Sequence, residues 1–162
     1  MQNSLFLLCP TDYLEPIIND TFGYKNYFYE SLGNSFVYDN ETLNYIKQFI
    51  EIHNIQEIQF VLSKDNQIVL DALGNRDFSN IGALNNFYIE IEKQKECSNK
   101  INKNSNIQFT VLSYYLNKKI KELKLQLSNK SIKIKGKIYN KDIGRFTNIY
   151  SDLICLETYH FN

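Results

Sequence analysis

Residues 4–9 read S-L-F-L-L-C, an apolar run without alternation that Pro10 brings to a stop. A strand with one wet face alternates polar and apolar side chains. A run without alternation predicts burial on both faces, the setting of an interior strand in a parallel sheet. Parallel neighbours cannot be joined by a hairpin, so helical crossovers must separate the strands. The rest of the chain is written that way. Residues 13–20 carry one or two helical turns with Pro16 near their start,. Residues 26–32 are aromatic and β-prone and close on the turn signal Gly33-Asn34,. Asp39 is placed to cap a helix running to about Asn54, with a stripe of Leu43, Ile46, Phe49, Ile50 and His53,. Residues 57–62 form the next strand, and 67–73 a short helix ended by Gly74,. After a loop at 75–82, residues 83–97 are helical, 98–105 form a polar loop, and 106–127 hold the longest helical pattern.

Strands follow at 132–139 and near 146–151. Too few residues join these two for a parallel crossover, so the last strand is expected to run antiparallel to its neighbour. The pattern predicts one α/β domain over 1–162, with a mostly parallel central sheet, helices on both sides and an antiparallel last strand,.

Composition removes several function classes. The formal charge is zero, so there is no basic excess to favour nucleic acid or an anionic membrane,. The lysines at 118–124 are interleaved with apolar residues at helical spacing and read as a solvated helix face,. No stretch approaches the ~20 apolar residues of a membrane span, and the N-terminal apolar run lacks the basic flank of a signal peptide,. Cys9, Cys97 and Cys155 make no disulfide framework and fit a reducing, cytoplasmic setting,. No Gly-rich phosphate loop, G-x-S-x-G elbow or H-E-x-x-H helix is present,.

Four features resemble the β-class carbonic anhydrases. Cys9 ends the first strand. Residues 30–34, E-S-L-G-N, stand where that family has R-N-A-G-N. A long helix opens with Asn106-Ile107 and continues through Val111, like N-V-x-x-x-V. Gly136, Tyr139 and Gly144 match the family's strand-and-glycine-turn signature. The order spans nearly the whole chain, from about Ser4 to Tyr150. The resemblance implies that fold without its N-terminal helical extension, and it implies where zinc ligands should lie: a cysteine after the first strand and H-x-x-C after the third. It also implies an aspartate two residues past the first cysteine and an arginine two further on.

Laid on this chain, only Cys9 survives as a vestigial ligand position. The aspartate position falls on Thr11, with Asp12 one residue late, and the arginine position on Tyr13. Lys64 and Gln67 take the places of the histidine and second cysteine. A catalytic zinc needs three protein ligands and an open position. An ammonium has no lone pair to give, and an amide offers only a neutral carbonyl. His53 and His160 are the only histidines, and their spacing with the cysteines matches no ligand pattern,. Catalytic residues and a metal are therefore expected to be absent. Cys9, Thr11, Asp12, Lys64 and Gln67 should converge as a vestigial pocket, in which Lys64 either pairs with Asp12 or is solvated. Cys9 reads as a small buried side chain rather than a reactive thiol.

Tyr24, Tyr27, Phe28 and Tyr29 exceed what one face of a strand can bury, because side chains alternate,. The resemblance places this strand at a dimer interface, so core packing and an interface both remain open. The leading reading is a carbonic-anhydrase-like homodimer without zinc or catalysis, acting in binding or assembly, with no nucleic-acid or membrane partner. One alternative is an active carbonic anhydrase or other lyase with a displaced zinc site. Another is a structural subunit bound to another protein.

Overall fold

The computed structural model describes residues 2–23, 25–101, 107–128, 131–151 and 153. Tyr24, Asn106, Cys155 and His160 lie outside the described residues. The five strands are β1 (Ser4–Leu8), β2 (Asn26–Glu30), β3 (Glu57–Ser63), β4 (Lys133–Asn140) and β5 (Arg145–Asn148). The helices are α1 (Glu15–Phe22), α2 (Asn40–Ile52), α3 (Gln67–Leu73), α4 (Asn85–Ile101) and α5 (Ile107–Gln126). Sheet order is β2-β1-β3-β4-β5. All neighbours are parallel except β4 and β5, which pair antiparallel.

Strand β1 is buried at every position, as its lack of alternation requires. Leu5 and Leu7 enter the larger core, while Phe6 and Leu8 enter a smaller one on the opposite face,. The small core is closed by Leu14 and by Ile18 of α1. The large core collects Ile46 and Ile50 of α2, Ile68 and Val69 of α3, Phe87 and Ile91 of α4, and Val111, Tyr115 and Leu116 of α5. Helices thus cover both faces, but unequally. Gly136 on β4 faces α5, where an added Cβ would stand 2.6 Å from the Ile149 side chain and 3.1 Å from Ile120. A bare backbone there lets the β4–α5 contact close.

Helix α2 begins as the sequence predicts: the Asp39 carboxylate accepts the Thr42 amide at 2.7 Å,. His53 is packed rather than ligating, with ring centroids 4.4 Å from Tyr27 and 4.3 Å from Phe49. Helix α4 runs on to Ile101, so the loop expected from residue 98 is helical at its start. Ser98 is fully buried and donates its hydroxyl to the Gln94 carbonyl at 2.7 Å, which satisfies a polar side chain on a buried helix face,. Cys97 is disulfide-bonded and Cys9 is a free, buried thiol, which corrects the expectation of three reduced cysteines. No helix among the described residues is long and apolar enough to cross a membrane.

Candidate functional site

The C-terminal ends of β1 and β3 meet beside the turn that follows β2. Cys9 leaves β1 fully buried, and its sulfur accepts the Gly33 amide at 3.2 Å and lies 3.1 Å from the Thr11 hydroxyl. A single 3-10 turn, Pro10–Asp12, then folds the chain back. The Asp12 carboxylate accepts the Ser63 amide at 2.8 Å and the Asn66 side-chain amide at 2.9 Å. Asn66 is fully buried, and its side-chain oxygen caps α3 by accepting the Val69 amide at 2.9 Å. One side chain therefore joins the first loop to the start of a helix. Burial raises the Asp12 carboxyl above the ordinary carboxylate range, and the hydrogen bonds from Ser63 and Asn66 offset only part of that rise,.

Cys9, Thr11 and Asp12 lie together at the strand ends. Lys64 and Gln67 do not join them. Lys64 is half-buried and makes no ion pair with Asp12. Its backbone amide donates to the Tyr139 carbonyl at 2.8 Å, while neighbouring Asp65 pairs with Lys141 at 2.6 Å. Gln67 is the exposed first residue of α3. The reason is phase. Strand β3 continues one residue further than the sequence suggests, through the buried Ser63. The inward pair at a three-residue spacing is therefore Ser63 and Asn66, one position earlier than Lys64 and Gln67. Tyr13, at the arginine position, sits at φ 53° and is 80% exposed, so it turns away from the site.

The turn after β2, legible in the sequence as Gly33-Asn34, is held by a residue that sequence reasoning passed over, Tyr115. Gly33 adopts φ 61°, and its missing side chain leaves room for the Phe87 ring. The buried Tyr115 hydroxyl donates to the Gly33 carbonyl at 2.7 Å and reaches the Asn34 carbonyl at 3.1 Å. The Asn34 side chain donates to the Val61 carbonyl at 2.9 Å. Together these bonds fasten the turn to β3 and α5. Asn66 had a readable signal, an asparagine one residue before a helical pattern and three before Val69. Tyr115 had none.

No family model and no curated protein matches the sequence. Solved structures do match. The β-carbonic anhydrase CafA of Aspergillus fumigatus aligns at TM-score 0.70 and 13% identity, over 99% of this chain and 84% of its own. Wild-type CafD of the same fungus gives 0.71 at 14% identity, over 93% and 90%. A structure from work on two tetrameric β-carbonic anhydrases of Sordaria macrospora gives 0.70 at 14%, over 91% and 80%. The chain has the β-carbonic anhydrase fold.

In this β-carbonic anhydrase fold, β2 is an edge strand, paired only with β1 among the described residues. Its aromatics are divided between the two faces. Tyr27 meets the Phe49 ring at 5.4 Å and Tyr29 meets Phe36 at 5.8 Å on the larger core, while Phe28 meets Phe6 at 6.1 Å on the smaller. All three remain half-buried.

Proposed function

We propose that this chain is a carbonic-anhydrase-like protein that has lost zinc binding and catalysis and acts in binding or assembly as a homodimer. The observation that carries this reading is the donor set at the strand ends. Of the described side chains that meet there, only Cys9 and Asp12 are of a type that binds zinc,. The Asp12 carboxylate is already engaged by Ser63 and Asn66. The inward positions at the H-x-x-C spacing hold a serine hydroxyl and an asparagine amide. Neither replaces an imidazole or a thiolate at a structural or catalytic zinc. The residues present do not fit the metal. A relocated site drawing on Cys97 is disfavoured too, because a sulfur held in a disulfide is no thiolate ligand,. Purified protein supplied with zinc should hydrate carbon dioxide only at the uncatalysed rate. Stopped-flow hydration well above that background would refute the proposal.

Assembly is supported by the edge of β2, open among the described residues, with its half-buried Tyr27, Phe28 and Tyr29. An unpaired edge of this kind is a template for another strand. A second copy, presenting the same edge, is the occupant proposed, with the homodimer built around residues 26–32. Light scattering at tens of micromolar should give the mass of a dimer, since a standard-sized interface is populated at that concentration. A monomer under those conditions would contradict it.

A further inference from the structure

Across the 33–34 turn from Cys9 lies a cavity of about 170 Å³ between α4, α5 and the segment at 35–37. Its wall includes Val37 and Phe87, and its polar side is formed by Glu90, Lys118, Lys119 and Glu122. Lys118 is closely paired with Glu90. Lys119 and Glu122 are left with long contacts only: 3.9 Å to each other, and 3.8 Å from Glu122 to Lys118. Neither distance is a hydrogen bond.

Lys119 is the unusual member. Its side chain is 14% exposed. Its ammonium stands over the rings of Tyr38 at 5.4 Å and of Phe36 and Tyr115 at 5.9 Å. Burial lowers its affinity for the proton, and the Glu122 charge works against that loss. Aromatic faces attract a cation but accept no conventional hydrogen bond from each of its three donors. An ammonium that lines this cavity with its stem packed among rings gains from an anionic oxygen within hydrogen-bond reach,.

The four charged groups sum to zero. A ligand with net charge therefore gains little from them as a set. A ligand that carries a separated positive and negative end gains at both Lys119 and Glu122. At ~30 Å³ for each water-sized group, the cavity has room for about six such groups. From this geometry we propose that the cavity is a binding site for a small neutral α-amino acid. Its carboxylate is held by Lys119, its ammonium by Glu122, and its side chain lies against Val37 and Phe87. The site does not depend on whether the chain binds zinc.

Isothermal titration with L-alanine tests this on the intact chain, with propionate and ethylamine as the two half-ligands. Alanine should bind. Each half-ligand should bind about tenfold more weakly or less, as should alanine to Lys119→Met and to Glu122→Gln. Lys119→Met keeps the aliphatic stem among the rings. If that variant melts early, the isosteric Glu122→Gln, on a more exposed side chain, carries the test alone. Absence of alanine binding at about 10 mM, which populates even a millimolar site, would overturn the proposal. So would propionate binding as tightly as alanine, or unchanged alanine affinity in a folded Glu122→Gln.

Discussion

Asn66→Ala should lower unfolding stability by about 2–4 kcal/mol, the sum of a lost helix cap and a buried carboxylate deprived of a partner. The cap is the bond from the Val69 amide to the Asn66 oxygen, and the partner is the Asn66 amide donating to Asp12. The two contributions separate by pH. The Asn66 bond favours the charged form of Asp12 and so holds its pKa below what burial alone would set. Removing the bond raises that pKa further. Below both pKa values Asp12 is neutral and the variant loses chiefly the cap. Above both it also loses the bond to the charge, so the deficit grows as pH rises through the carboxylate range. Urea unfolding of both proteins at mildly acid and at neutral pH measures this. A deficit that is small, or that shrinks with rising pH, would show that Asn66 does not hold Asp12.

Gly33→Ala should cost about 2–4 kcal/mol, of which about 1–2 kcal/mol is the strain of a left-handed non-glycine residue and the rest is overpacking. Gly144 supplies the control. It has nearly the same backbone, φ 62° against 61°, but nothing lies within 4 Å of where its Cβ would be. At Gly33 the added carbon would stand 2.8 Å from the Phe87 ring. Phe87 is 2% exposed and packs edge-on against Tyr115 at 5.4 Å, so it has little room to retreat. Gly144→Ala should therefore lose only the strain. Equal urea midpoints for the two variants would mean that the Phe87 contact is soft and that the turn is not held as described.

The strand and helix order was legible because the sequence writes it in period. The unbroken run at β1, the capped stripe of α2 and the short connection between β4 and β5 each name their own structure. The candidate site was legible only in part. Cys9, Thr11 and Asp12 are tied by adjacency in the chain, so their convergence follows from one turn. Lys64 and Gln67 depended on where β3 stops. A slip of one residue in a strand reverses which side chains face inward. Ser63 and Asn66 took the inward places because the β3 ladder with β4 continues through Ser63. The helical start of the 98–105 segment was hidden for a different reason. Its polar composition reads as a loop, whereas Ser98 is fully buried within a helix that runs on to Ile101. Tyr115 was lost inside a helical stripe, where nothing local marks a hydroxyl that reaches a turn 81 and 82 residues earlier in the chain.

The central claim is that this β-carbonic anhydrase fold carries no zinc. Elemental analysis of the purified chain, loaded with zinc and then dialysed against a weak chelator, tests it most directly. A chain whose strand ends offer one buried cysteine and one already bonded carboxylate should come through with far less than one zinc per chain,. One zinc per chain, retained through the dialysis, would contradict the account.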